Sequence, residues 1–288
     1  MALVTSGQGG RILGLIRISL ASLGYEEGKN LIIDFREANG HFSVLPDLLA
    51  QLIARKPNVI IAEASPAVAA AQKATSVIPI VMAPATDPVG SGFVQSFAHP
   101  GGNITGVANM SENLTVKTLD IVRLVFPSAK KIGVLISNSP THPAVLEVTR
   151  TAAAAMGIAV EGFIARNPEN IEAAFVQMKE ANCDVVYVLA DSPRPVLPPI
   201  ALKFALPTIF QVSGYVSLGG LMSYGPNTRS FFTKAAQYVD RILKGSKPAD
   251  LPVERPTTFD FVINISTAKA LGLTIPQRVL LMADQVIE

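Results

Sequence analysis

The sequence predicts an α/β protein of two lobes, each with a parallel central sheet, joined by a hinge of three segments. Short apolar runs alternate with amphipathic stretches along the whole chain, and the connections between them are short. This alternation favours parallel sheets that helices cover on both faces, as in Rossmann-like lobes. A length of 288 residues suits two lobes of medium size.

Each predicted strand is a short apolar run bounded by turn residues or by an amphipathic stretch. The predicted strands are 3–5, 31–35, 59–62, 80–82, 103–107, 132–136, 159–163, 185–189, 208–210 and 221–223. Apolar residues at helical spacing predict helices over 10–23, 45–55, 66–75, 113–125, 143–156, 169–181 and 227–243. The first helix resembles the apolar core of a signal peptide, but Arg17 interrupts it. We therefore expect it to be the first helix of the mature fold, with any export signal absent from this sequence.

Three stretches are predicted to carry the chain between the lobes, namely 126–131, 224–227 and 251–256. They divide the chain into an N-terminal lobe of residues 1–128 plus 226–252 and a C-terminal lobe of residues 129–225 plus 253–288. Three crossings between two similar α/β lobes are the topology of type I periplasmic binding proteins.

Composition excludes several classes of protein. Apolar residues make up 49% of the chain and charged residues 16%, which indicates a globular protein rather than a disordered one. The net charge of +2 is small and the basic residues are scattered, so we expect no nucleic-acid partner. No apolar run approaches the ~20 residues of a membrane span. Cys183 is the one cysteine, and its place just before a strand predicts a buried structural thiol.

The sequence motifs of the enzyme classes considered are incomplete or absent, so we predict that the chain is not an enzyme and uses neither a cofactor nor a metal. Gly7 and Gly9 begin a dinucleotide-binding fingerprint, but its third glycine should stand where Ile12 does. Walker and GxSxG motifs are absent from the sequence. His41, His99 and His142 lack metal-ligand spacing, and each is interpreted as a surface-loop histidine beside a turn.

Small polar residues recur at the carboxyl ends of the predicted strands. They lie in the segments 5–7, 63–66, 85–87, 137–139, 190–192 and 211–215. Ser65 and Asp87 are predicted to be N-caps, with Pro66 and Pro88 in the first turns of the helices they open. For each segment taken alone, the alternative to a ligand-binding role is an ordinary helix cap. Six at the same end of two sheets favour a ligand site, because open α/β sheets bind ligands there.

Four blocks carry a resemblance to a known family: LGYEEGKN at 23–30; DPVGSGFV at 87–94 with PGGNITG at 100–106; GGLMSYGPN at 219–227; and FVIN at 261–264 with AKALGLTIP at 268–276. Together they resemble the ABC-transporter substrate-binding proteins related to tryptophan and tyrosine receptors. The resemblance implies a monomeric, periplasmic receptor that closes on a small molecule and delivers it to a membrane permease. The ligand-binding positions it implies are Ser6, Gly7, Ala64, Ser65, Thr86, Asp87, Ser137, Asn138, Asp191 and Tyr215.

The resemblance also implies a ligand class, an aromatic amino acid or a related aromatic carboxylate. We expect Ser65 and the N–H groups beside it to hold the acidic group, Asp191 to accept an ammonium, and Tyr215 or Phe210 to contact the apolar part. Residues 192–199 are shorter than the usual family segment, and there Arg194 is either a partner for a ligand carboxylate or an exposed loop arginine.

Two other functions stay open on the sequence. One is a small-molecule enzyme on a Rossmann-like fold, which would need a convergent acid, base or nucleophile. The other is the ligand-sensing domain of a transcription regulator, which would need a DNA-binding headpiece before the first strand.

Overall fold

The computed structural model describes residues 1–191 and 194–288, apart from the side chains of residues 111–113. The strands are β1 (Ala2–Thr5), β2 (Asp34–Glu37), β3 (Ile60–Glu63), β4 (Ile80–Ala85), β5 (Ile104–Ala108), β6 (Lys131–Ile136), β7 (Ala159–Ile164), β8 (Val185–Val188), β9 (Thr208–Phe210), β10 (Met222–Pro226), β11 (Phe259–Asn264) and β12 (Gln285–Ile287). The helices are α1 (Gly10–Ala21), α2 (Leu45–Ala54), α3 (Ala64–Ala74), α4 (Ser111–Val125), α5 (His142–Ala154), α6 (Ile171–Glu180), α7 (Leu197–Lys203), α8 (Thr228–Leu243), α9 (Ile265–Ala270) and α10 (Gln277–Leu280). Short 3₁₀ segments lie at Phe42–Val44, Pro168–Asn170, Ser213–Leu218 and Pro248–Asp250. None of these described helices is both long and apolar enough to cross a membrane.

The described chain divides into two compact units. The first comprises residues 1–110 and 228–256, and the second comprises residues 111–227 and 257–288. The chain therefore passes from one unit to the other three times. The predicted boundary at residue 128 is wrong in one respect, because it placed α4 in the first lobe. Leu119 and Val122 of α4 pack in the core of the second unit, against residues such as Ile132.

The first unit contains a parallel sheet in the order β2-β1-β3-β4-β5. Successive residues of β1 point to opposite faces: Leu3 packs with α1 and α8, whereas Val4 packs with α2 and α3. Both faces are thus buried, which explains why the strands of this sheet are continuous apolar runs. The strand order reverses between β1 and β3, and this switch point is where such sheets bind ligands.

The second unit repeats this order and then extends it. Strands β7-β6-β8-β9-β10 are parallel neighbours, so β6 and β8 flank the equivalent switch point. Strand β11 then pairs antiparallel with β10, and β12 pairs parallel with β11. The expectation of parallel central sheets is therefore right for most of the structure but misses two strands of a mixed, seven-stranded sheet.

Two further predictions can be compared with the structure. The strand predicted at 31–35 forms further along the chain, at Asp34–Glu37. Strand β2 lies at the edge of its sheet, and the apolar Ile32 before it is 70% exposed, so the apolar run that predicted the strand is not the part that pairs. Cys183 is buried as predicted, and burial raises the pKa of its thiol to about 11. A thiol with so high a pKa is a poor nucleophile, which agrees with a structural role.

Candidate functional site

In the first unit, Ser6 and Glu63 join the ends of β1 and β3 at the switch point. The Ser6 hydroxyl donates to the Glu63 carbonyl oxygen at 3.0 Å and accepts from the Ala67 N–H at 3.1 Å. The Ser6 N–H donates to Oε2 of Glu63 at 3.2 Å. Glu63, which lies in the predicted segment 63–66 but was not assigned as a ligand-binding position, is only 5% exposed. Gly7 is also buried, and its carbonyl oxygen accepts from the Thr5 hydroxyl at 3.0 Å. A buried acidic group therefore lies where α3 begins.

Ser65 joins the ends of β3 and β4. It does not cap α3 as predicted, because the N-cap is Glu63 and the helix begins at the half-buried Ala64, whose φ is +65°. Oγ of the buried Ser65 instead accepts from the Thr86 N–H at 3.0 Å. Thr86 is buried too, and its hydroxyl oxygen accepts from Nδ2 of Asn109 at 3.0 Å. The Ser65 hydroxyl proton has no acceptor among the described residues, so it is able to donate to a ligand.

Asp87 caps a turn rather than a helix. The predicted short helix after Asp87 is a run of hydrogen-bonded turns over residues 88–92. The half-buried Asp87 has a φ of +38°, and its Oδ1 accepts from the Gly90 N–H at 2.9 Å. A Cβ atom on Gly90 would lie 2.0 Å from Oδ2 of Asp87. The aspartate and glycine of the DPVG block are thus required by the turn itself.

In the second unit, Ser137 joins the ends of β6 and β8. Its hydroxyl donates to Oδ2 of Asp191 at 2.6 Å, and its N–H donates to Nδ1 of His142 at 2.8 Å. Because Nδ1 accepts, the proton of the neutral imidazole is on Nε2, which lies 3.2 Å from the Ala190 carbonyl oxygen. His142 is 1% exposed, so its interpretation as a surface-loop histidine was wrong, whereas the neighbouring Asn138 is exposed.

These three side chains do not have the arrangement of a hydrolase triad. In a triad the imidazole lies between the serine and the carboxylate and takes the serine proton. Here Ser137 lies between His142 and Asp191 and gives its proton to the carboxylate. The network holds Ser137 in place and does not activate it as a nucleophile.

Arg194 lies beside Asp191 and is buried, so its interpretation as an exposed loop arginine was wrong. Its Nη2 is 3.6 Å from Oδ2 of Asp191, and its backbone N–H donates to the Tyr215 hydroxyl at 2.9 Å. The Tyr215 ring stacks on Phe210 with centroids 4.5 Å apart, and burial raises the pKa of its phenol. Tyr215 therefore positions the backbone of Arg194.

Some polar residues of the candidate site were not assigned as ligand-binding positions from the sequence. They are Glu63, Asn109, His142 and Gln211, whose Oε1 accepts from the Ala190 N–H at 2.6 Å. Glu63 and Gln211 lie within the predicted segments 63–66 and 211–215, whereas Asn109 and His142 lie just beyond strand ends outside those segments. Extending the search at strand ends to amide and imidazole side chains would have found the latter two. Ser192, in the predicted segment 190–192, lies outside the described residues.

The buried His142 predicts a pH dependence of stability. Burial lowers the pKa of His142 below its ordinary value of 6.5; the charge of Asp191 opposes this shift and that of Arg194 adds to it. Below about pH 6.5 the unfolded chain then binds a proton that the folded chain does not. The free energy of unfolding should therefore fall with decreasing pH by up to about 1.4 kcal/mol per unit, until the lower native pKa is reached.

The measurement is urea denaturation between pH 5 and 8. The variant His142→Asn, which keeps an acceptor for the Ser137 N–H, should show a shallower slope below pH 6.5 than the unmodified protein. Its matched control, His99→Asn, changes an exposed histidine and should leave the slope unchanged. Equal slopes in all three proteins would contradict a neutral His142 in the folded state.

Comparison with known proteins agrees with the architecture and identifies the family. A model of the family described as ABC transporter substrate binding protein matches residues 11–287. A tyrosine-binding protein from Clostridioides difficile (strain R20291) is 31% identical over 262 residues, which cover 88% of this chain and 74% of the relative.

Two solved structures are similar over nearly the whole chain. A conserved domain protein from Vibrio cholerae has a TM-score of 0.90 at 30% identity, covering 99% of this chain and 98% of that one. An ABC domain from Streptococcus pneumoniae in complex with L-Trp has a TM-score of 0.86 at 29% identity, covering 99% of each chain. The type I periplasmic binding fold and the family resemblance are both confirmed, and the chain belongs to the ABC-transporter substrate-binding proteins.

Proposed function

We propose that this protein is the extracytoplasmic receptor of an ABC importer and that it closes its two lobes on a small carboxylate ligand. The ligand is an aromatic amino acid or a related aromatic carboxylate, and the receptor delivers it as a monomer to a membrane permease. Family membership supports the transport role, and the names of the tyrosine-binding relative and of the L-Trp complex support the ligand class.

The observation that carries the proposal is a buried polar cluster at the switch point of each unit. In the first unit it comprises Ser6, Glu63 and Ser65, and in the second it comprises Ser137, Asp191 and Arg194. Sheets of this strand order bind ligands at the switch point, beyond the carboxyl ends of the strands. We propose that the ten predicted positions form the binding site around these clusters.

Closure follows from the same proposal. A ligand that contacts both lobes makes more contacts when they are closed, so its binding shifts the protein towards the closed state. The three connections near residues 110, 227 and 256 provide the hinge about which the lobes move. In the closed state the ligand is enclosed, so the side chains that bind it are shielded from solvent.

Thermal-shift measurements test the proposed function directly. L-Tyrosine, L-tryptophan, L-phenylalanine and 4-hydroxybenzoate are compared with glucose and divalent metal ions. At 100 times its Kd a ligand stabilises the folded state by about 2.7 kcal/mol, which gives a readily measured rise in Tm. We expect a rise with at least one aromatic carboxylate. A rise with the sugar or the metal ions only would overturn the proposal.

A further inference from the structure

The guanidinium group of Arg194 is buried with its hydrogen-bonding capacity incompletely used. The side chain is 4% exposed, and Nη1 lies 3.5 Å from the Ala165 carbonyl oxygen. Neither Nε nor Nη2 has a hydrogen-bond partner among the described residues, although Nη2 lies 3.6 Å from the Asp191 carboxylate. Unpaired buried donors on a charged group cost stability, so folded proteins rarely keep them without a use.

The two unpaired nitrogens are the pair best suited to a carboxylate. Nε–H and one N–H of Nη2 point in parallel from the same edge of the planar guanidinium, and this fork matches the two oxygens of a carboxylate. The backbone of Arg194 is held by the Tyr215 hydroxyl, and the guanidinium is held by Asp191 on one side and Ala165 on the other. The fork is therefore preorganised, which reduces the entropy lost when an acidic group binds it.

The other switch point already contains an acidic side chain, which makes that position less suitable for a second acidic group. The start of α3 offers N–H donors, but Glu63 is the N-cap residue of this helix. Oε2 of its buried side chain accepts from the Ser6 N–H at 3.2 Å. One backbone donor at this position is therefore already bound to an acidic side chain of the protein.

We infer that the acidic group of the ligand binds the Nε–Nη2 edge of Arg194, and that Asp191 positions this guanidinium rather than accepting a ligand ammonium. The inference rests on the proposed function and reverses the roles expected from the sequence for Ser65 and Asp191. Ser65 and Thr86 then contact an uncharged or cationic part of the ligand. Arg194 is the residue that makes the receptor select carboxylates.

Isothermal titration calorimetry with three related compounds tests this assignment. L-Tyrosine has both charged groups, 3-(4-hydroxyphenyl)propionate has only the carboxylate, and tyramine has only the ammonium. For Arg194→Gln we expect the affinity for both carboxylates to fall by about 100-fold, as is typical when one partner of a buried charge pair is removed, while that for tyramine stays unchanged. Arg194→Lys keeps the charge without the fork and should give an intermediate loss.

Three comparisons keep the test decisive. Arg166→Gln removes an exposed arginine and should bind all three compounds as the unmodified protein does. Circular dichroism of each ligand-free variant verifies that it is folded. If Arg194→Gln does not fold, the affinities of Arg194→Lys for the three compounds test the assignment instead.

An equal loss of affinity for all three compounds, or no loss, would overturn the assignment and leave the proposed function intact. If the unmodified protein binds neither carboxylate, the proposed ligand class fails and the assignment fails with it.

Discussion

Replacing Asp191 with alanine is expected to lower the free energy of unfolding by about 3–5 kcal/mol, because it leaves the buried Arg194 charge without its partner. The two side chains are 1% and 4% exposed, with Nη2 and Oδ2 3.6 Å apart. The substitution also removes the acceptor of the Ser137 hydroxyl, which donates to the same oxygen. Urea denaturation at pH 7.5 of the ligand-free protein measures this loss.

A second variant separates the charge effect from a general loss of packing. In the double variant Asp191→Ala with Arg194→Met, the unpaired charge is gone, so part of the stability should return. Glu161→Gln is the control, since it breaks a partly exposed pair with Lys131 and should cost less than about 1 kcal/mol. A double variant less stable than Asp191→Ala alone would show that Arg194 contributes to stability without its acidic neighbour.

Replacing Gly106 with alanine is expected to destabilise the protein by about 3 kcal/mol or more, through two effects that add. The φ of Gly106 is +125°, a conformation that costs a residue with a Cβ atom about 1–3 kcal/mol. The new Cβ would also lie 2.5 Å from the Met82 carbonyl oxygen, which is backbone of the adjacent strand and moves only if the sheet does.

Gly102→Ala is the matched control, because a Cβ atom there meets nothing within 4 Å and its φ is not positive. Thermal unfolding of the two variants should give a large drop in Tm for Gly106→Ala and a small change for Gly102→Ala. Similar small changes in both would mean that the sheet yields at Met82 at little cost.

The sequence predicts best the parts of this fold where local pattern and tertiary environment agree. Strands such as β3 and β8 are buried on both faces, so their apolar runs are visible without knowing their neighbours. The edge strand β2 has one neighbour only, and the exposed Ile32 beside it extended the apolar run towards the N-terminus. Strand β11 was missed because its continuous apolar run is only three residues long, 261–263, and is flanked by Asp260 and Asn264.

The position of the candidate site was predicted from the order of strands and turns, whereas the contacts of its side chains were not predicted. At the carboxyl ends of the strands, buried polar networks include four of the predicted positions, namely Ser6, Ser65, Ser137 and Asp191. Their roles depend on partners far away in the sequence: the Ser137 hydroxyl donates to a carboxylate 54 residues later. Nothing local distinguishes a buried Arg194 from an exposed one, because the turn residues around it indicate a loop in either case.

The three passages of the chain between its units also set the order in which the protein is completed during synthesis. Helix α8 covers the core of the first unit through Phe231, Ala235 and Val239, yet these residues are made only after β6 to β10. Until α8 has been made, the apolar surface that it covers, formed by Leu3, Ile16 and their neighbours, is exposed. A nascent chain that ends near residue 227 therefore exposes an apolar sheet face. The first unit, although it begins the sequence, is complete only once residue 256 has been made, when the second unit still awaits residues 257–288.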